Sequence, residues 1–315
     1  MWTKRGVIYS LVRQGKRVSH TQLPVVDTAG NNWRVYYSTR NQQGYSFPYW
    51  FEVSPKNPQK ILRECTDPIL PLGNKGSFDE HGVMPTAILD MGKKKFLYYI
   101  GWSRKTTVPY QNAIGLAVSE DGGETFRKYS NKPIIAENVI DPLFVGTLNI
   151  INVSDVWYGY YMSCTEWVEV GGRLEPRYLI KLAYSEDGIN WRRNGDIAID
   201  YVDSNEGGIV AASVLKGSKQ FHMWYCYRKK YDFRKNADNS YRIGYAVSSD
   251  GIKWSRRDEY AGIDVGESGW DRDMICYPYV VAYGKELLMF YNGNGFGQSG
   301  IGLATSVLNK ITAYE

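Results

Sequence analysis

An all-β fold, a five-bladed β-propeller spanning residues 1–315 as a single domain, is predicted by three features of the sequence. A strand-and-turn unit recurs as IGLAVSEDG at Ile114–Gly122, IKLAYSEDG at Ile180–Gly188, IGYAVSSDG at Ile243–Gly251 and IGLATS at Ile301–Ser306. A second unit, made of a strand, a short turn and an aromatic-rich strand, precedes each of these, and a divergent fifth copy opens the chain. Composition agrees, because 26 Tyr, 10 Trp and 32 Gly favour strands and tight turns over helices.

The segment Gly6–Val12 (GVIYSLV) belongs to no copy and is assigned to the outer strand of the last blade. It would close the ring and remove the exposed edges of an open sheet. The first copy is Leu23–Tyr37 with Tyr49–Val53; the others begin with Val83–Ile100, Leu143–Met162, Ile209–Tyr227 and Ile275–Tyr291. The strand-and-turn units stand 66, 63 and 58 residues apart, and their apolar and small residues alternate as in half-buried strands. A sandwich would not repeat one motif in register, whereas radial repetition does. Phe126, Trp191 and Trp254 follow the Asp-Gly turns and begin the next strands. Asp121, Asp187 and Asp250 are expected to hold those turns through side-chain to backbone bonds, in the manner of the Asp-box turns they resemble. The run Asn292–Gly297 (NGNGFG) lacks the Lys-Ser/Thr of a phosphate loop and reads as an ordinary loop.

Other classes are set aside by simple counts. Lys plus Arg is 38 against 33 Asp plus Glu, a net charge of +5 without a basic stripe, which argues against a nucleic-acid partner. No apolar run reaches membrane-spanning length, so no membrane partner is expected. Cys65, Cys164, Cys226 and Cys276 are too scattered for a zinc site or a disulfide framework, and Met1–Ser10 has no signal-peptide core. Reduced thiols in a cytoplasmic protein, with no metal and no cofactor, are the expectation.

Antiparallel pairing puts residues before each first strand and after each second strand on one face. The first set is acidic: Asp79, Asp141, Glu206 and Asp271 stand 62, 65 and 65 residues apart, with Glu80, His81 and Asp273 beside them. Four like charges around one channel need solvent, partners or partial protonation. They either form a site or pair with neighbouring Arg and cap turns. The second set holds Arg40, Arg104, Arg228, Glu166 and Asn292, with Trp102 and Trp167 as apolar platforms for sugar faces. The Arg residues either fork an anionic ligand or neutralise the acids.

Five blades with acids heading successive inner strands resemble the superfamily of glycoside hydrolase families 32, 43, 62, 68 and 130. Ile140-Asp141-Pro142 is similar to the Arg-Asp-Pro element of families 32 and 68, with Ile140 in place of Arg. Phe78–Val83 stands where those families place their first acidic motif, and Asn205-Glu206-Gly207 where they place the glutamate acid. Family 43 enzymes carry the first acid in the first blade, where this chain has Gln22. The resemblance implies a glycosidase, with Asp79 as base, Glu206 as acid and Asp141 touching sugar hydroxyls and the acid's charge. Substrate contacts would come from Arg40, Glu80, His81, Trp102, Arg104, Glu166, Trp167, Arg228, Asp271, Asp273 and Asn292. The ligand class is a carbohydrate, a sugar phosphate or a nucleotide sugar. The alternatives are a phosphorylase using Arg40, Arg104, Arg228 and His81 for phosphate, and a propeller that binds glycans without catalysis.

Overall fold

The structure, a computed structural model, describes residues 1–11 and 18–307. Among these residues the regular structure is almost wholly strand, and no helix is long and apolar enough to cross a membrane.

After β1 (Thr3–Tyr9) come four meanders of four antiparallel strands each. The first is β2 (Gln22–Asp27), β3 (Trp33–Arg40), β4 (Ser46–Ser54) and β5 (Asn57–Glu64). The second is β6 (Gly82–Asp90), β7 (Lys95–Arg104), β8 (Tyr110–Ser119) and β9 (Arg127–Lys128). The third is β10 (Val145–Val153), β11 (Val156–Val170), β12 (Arg173–Ser185) and β13 (Arg192–Ile199). The fourth is β14 (Glu206–Lys216), β15 (Phe221–Lys229), β16 (Arg242–Ser248) and β17 (Ser255–Arg256). The last meander has β18 (Cys276–Tyr283), β19 (Glu286–Asn292) and β20 (Ile301–Val307), and β1 pairs antiparallel with β20 as its fourth strand. The N-terminal segment therefore pairs with the strand it was assigned to, but over Thr3–Tyr9 instead of Gly6–Val12: Ser10 and Leu11 follow the strand, and Val12 lies outside the described residues. The hydrogen-bonded sheets have four, eight and eight strands rather than one closed sheet. Single parallel bridges, Ser46 to Gly82 and Tyr178 to Gly208, join meanders into the eight-stranded sheets.

The second strands are buried on both sides, which explains their unbroken apolar and aromatic runs. In β3, Tyr36 enters the core with Val25, Trp50 and Leu97, while Tyr37 enters the core with Tyr9, Phe51 and Phe290. Alternate side chains thus serve two neighbouring meanders. Tyr36, Tyr98 and Tyr160 each donate to the carbonyl of an Asp-Gly turn in the following meander, Gly123 at 2.9 Å, Gly188 at 2.6 Å and Gly251 at 2.7 Å. Those turns are held as expected. Asp187 accepts from the Ile189 and Asn190 amides and Asp250 from the Ile252 and Lys253 amides, all at 2.8 or 2.9 Å. These backbone bonds, chiefly that from Asn190, hold the Asp187 carboxyl down at about 2.

First strands contact one another in the order β2, β6, β10, β14, β18 and back to β2. Side chains bridge them. Thr86 accepts from the Leu148 amide at 2.6 Å, Asn149 from Val214 at 3.0 Å and Ser213 from Val280 at 2.7 Å. Each first strand has a register shift against its second strand, between Gln22 and Val25, Pro85 and Ala87, Gly146 and Leu148, Val210 and Ser213, and Cys276 and Tyr279. At three of these bulges a non-glycine residue has positive φ: Leu23 at 57°, Ala211 at 59° and Tyr277 at 54°. Such backbone is sterically costly and persists where packing enforces it. The residues at the bulges line a central cavity of only about 20 Å³, with Leu23, Thr86, Thr147, Ala211 and Tyr277 around it. The centre is therefore closed just below the face on which the first strands begin.

Candidate functional site

The carboxylates that head the meanders turn away from solvent. Asp79, Asp141, Glu206 and Asp271 are at most 3% exposed. Each meets a cation on the last strand of its own meander: Lys128 lies 2.6 Å from Asp79, and Arg193, Arg256 and Lys4 lie 2.7 Å from Asp141, Glu206 and Asp271. A tyrosine 20 residues downstream, on the second strand, donates to the same carboxylate in three meanders. These bonds are Tyr99 to Asp79 at 3.0 Å, Tyr161 to Asp141 at 2.9 Å and Tyr291 to Asp271 at 3.0 Å. In the fourth meander Arg256 grips both oxygens of Glu206 and also Asp258, which takes the Tyr225 hydroxyl.

The expected convergence of Asp79, Asp141 and Glu206 on one solvent-filled pocket is thus corrected, and Asp271 is tied down in the same way. The physical reason is compensation: a carboxylate buried in the approach to a first strand needs a cation, and the outer strand supplies it. Asp141 shows the balance of forces. Burial alone would raise its pKa, but bonds from Ser163 and Lys181 outweigh that and hold the carboxyl below its ordinary value.

Other predicted residues separate into groups. Glu80, His81, Trp102 and Arg104 do come together on the rim. The His81 ring lies 5.9 Å from Trp102 and accepts from the Arg104 amide at 3.3 Å, and Glu80 is 3.6 Å away. Arg104 itself donates to the Gln43 carbonyl and lies over Tyr45. Asp273 is exposed on the same face. Asn292 is a correction: it is fully buried, accepting from the Leu23 amide at 2.8 Å and donating to the Thr21 and Gly300 carbonyls, so it joins the last meander to the first. Arg228 is a second correction. It is 2% exposed, its nitrogens donate to Tyr178, Lys229 and Pro176, and Phe233 lies 3.7 Å from its guanidinium carbon. It is a buried pillar with no free fork, because those carbonyls and rings compensate it in place of an anion.

Above the closed centre the strand-connecting loops build an aromatic mouth. Trp167, on the long β11–β12 hairpin, packs against Phe144 at 5.4 Å and Tyr110 at 5.7 Å. Tyr178, Tyr241, Tyr277 and Phe296 belong to the same cluster, and Trp167, Tyr110, Tyr277 and Phe296 remain partly exposed in it. Glu166 is exposed at the edge, 3.7 Å from Arg177. Arg234, on the β15–β16 loop, forks onto Glu175 at 2.7 and 2.9 Å. Arg40 ends β3 beside this group. Burial lowers its pKa, Arg234 lowers it further, and the neighbouring Tyr277 and Tyr110 oppose the shift. Sequence reasoning missed Tyr110, Glu175, Phe233, Arg234 and Phe296. The signal for Glu175, Phe233 and Arg234 was the places where the repeat is interrupted, Thr165–Arg177 and Lys229–Tyr241, since long connections on a rigid scaffold carry binding groups. Among the described residues no cluster of His, Cys, Asp and Glu could hold a metal ion.

No family model matches the sequence. Among solved structures, the complex of BT0996 with RGII aligns at TM-score 0.72 and 17% identity over 96% of this chain and 91% of that one. The beta-1,2-mannobiose phosphorylase from Listeria innocua aligns at TM-score 0.66 and 11% identity over 94% and 92%. A thermostable family-43 glycoside hydrolase aligns at TM-score 0.66 and 15% identity over 90% and 88%. The uncharacterized proteins Rv1502 and MT1551 of Mycobacterium tuberculosis, strains H37Rv and CDC 1551, are each 34% identical over 287 residues, 91% of this chain and 92% of the relative. The backbone therefore has the fold of the propeller glycoside hydrolases, and by sequence the chain belongs to the family of these two mycobacterial proteins.

Proposed function

We propose that the chain is a five-bladed β-propeller, closed by β1, that holds a carbohydrate in the aromatic mouth. The cyclic order of first-strand contacts and the pairing of β1 with β20 support the ring. The observation that carries the function is the partly exposed wall of Trp167, Tyr110 and Phe296 above a closed centre. Aromatic faces bury the apolar side of a sugar ring, and a plugged channel keeps the ligand at the surface.

Binding is better supported than hydrolysis by Asp79, Asp141 and Glu206. A glycosidase needs one carboxyl to protonate the leaving oxygen and a second to attack or to activate water. Here both oxygens of Glu206 are taken by Arg256, and Asp141 accepts from four side chains. A phosphate-dependent reading has one supporting observation: Glu166 puts an exposed carboxylate at the edge of the aromatic mouth, and phosphorolysis needs one acid.

Calorimetric titration with a panel of neutral and acidic oligosaccharides tests the proposal. Binding that is lost in Trp167→Ala and kept in Asp79→Asn is the expected result. Glycosidic cleavage by the wild type that Asp79→Asn abolishes in a folded protein would refute it. Release of a sugar phosphate only when inorganic phosphate is added would establish the phosphorolytic reading.

A further inference from the structure

The first meander carries three orphaned polar groups on one face. Gln22 on β2 stands opposite Ser38 on β3, and Arg40 follows Ser38 by two residues, so the three side chains share a side of the hairpin. Gln22 Oε1, Ser38 Oγ and Arg40 Nε are buried, and none has a hydrogen-bond partner among the described residues. Buried polar atoms are nearly always satisfied, and a cluster of exceptions calls for a missing partner. No carboxylate among the described residues pairs with Arg40, whereas the nearby Arg234 is already forked onto Glu175. His20 adds no positive charge at neutral pH, because burial, and secondly Arg40, lower its pKa to about 4.

The three atoms define what a partner must offer. Arg40 Nε is a donor and takes an anion. Gln22 Oε1 is an acceptor and needs a donor, which an oxyanion lacks. Ser38 Oγ serves either way. A ligand with an anionic oxygen beside a hydroxyl satisfies all three. A single unpaired guanidinium balances one negative charge, which suits a carboxylate better than a phosphate dianion.

We propose that Gln22, Ser38 and Arg40 form a subsite for the carboxylate and adjacent hydroxyl of a uronic acid residue, held at the edge of the mouth. Arg40 and Ser38 donate to the carboxylate, and Gln22 accepts from the hydroxyl. The inference rests on the carbohydrate reading of the mouth and narrows the ligand to acidic sugars.

The test compares three probes by calorimetry: glucuronate-containing disaccharides, their methyl esters, and inorganic phosphate. The ester keeps the shape and removes the charge. The wild type should bind the acid about 10- to 100-fold more tightly than the ester, the range expected for a charged hydrogen-bonded contact. Arg40→Met, which removes the positive charge and keeps an apolar stem, should erase most of that preference. Ser38→Ala, a milder change, should lower acid affinity alone. Gln22→Leu should weaken acid and ester together. Equal binding of acid and ester by the wild type overturns the subsite while leaving the mouth reading intact. Failure of every sugar to bind overturns both. Phosphate displacing the acid from the wild type at equal concentration overturns the carboxylate assignment.

Discussion

Replacing Asp141 by Asn separates a structural carboxylate from a catalytic one. Asp141 is fully buried and accepts from Tyr161 at 2.9 Å, Ser163 at 2.6 Å, Lys181 at 2.9 Å and Arg193 at 2.7 Å. Asparagine keeps the shape but cannot neutralise Lys181 and Arg193, whose side chains are each only 11% exposed. Removing one member of a buried ion pair costs about 3–5 kcal/mol. At about 2.1 cal/mol/K per residue, the unfolding entropy of this chain makes each kcal/mol worth about 1.5 °C, so Tm should fall by about 5–8 °C. Calorimetry at pH 7 reads the shift, and sugar titration of the folded variant should give wild-type affinity. The pH dependence has a defined sign. Because the folded pKa is depressed, the stabilisation is present above the unfolded carboxylate value of about 3.9 and is lost as pH falls through the folded value. That part of the acid-side loss should vanish in Asp141→Asn. An unchanged Tm together with abolished turnover would refute the structural assignment.

Three further outcomes are expected. His20, 7% exposed and with its pKa lowered to about 4, contributes stability above pH 6.5 that disappears towards pH 4; the loss is about 3 kcal/mol, and His20→Gln should flatten the stability curve over that interval. Phe in place of Tyr36, Tyr98 or Tyr160 removes a single donor to the next meander, so each should cost about 1 kcal/mol by urea denaturation, and the triple variant should show the sum. Deleting residues 1–9 removes the strand paired with β20 and the Lys4 partner of Asp271, so the whole protein should melt earlier in one transition; an unchanged melt would contradict ring closure.

Much of the strand order was legible because Ile114–Gly122 and its copies repeat both the alternation and the turn that ends it. The pairing of β1 was legible because the last copy lacks a strand and the first residues lack a copy. The acids were legible as a series but misdirected. Spacing fixes where a residue enters a meander, not which way its side chain turns. The deciding clue lay elsewhere in the sequence, in a tyrosine 20 residues on and a Lys or Arg on the last strand. The mouth was only half visible. Trp167 and Arg40 stand at repeat positions, but Glu175 and Arg234 lie in hairpins of irregular length that no repeat predicts.

A crystal structure with an acidic oligosaccharide bound distinguishes a sugar held by the aromatic mouth from one held between the buried acids. The predicted result is a sugar ring against Trp167 and Tyr110, its carboxylate on Arg40, and Asp79, Asp141 and Glu206 still bound to Lys128, Arg193 and Arg256. A sugar wedged between Asp79 and Glu206, with Lys128 and Arg256 displaced, would contradict it.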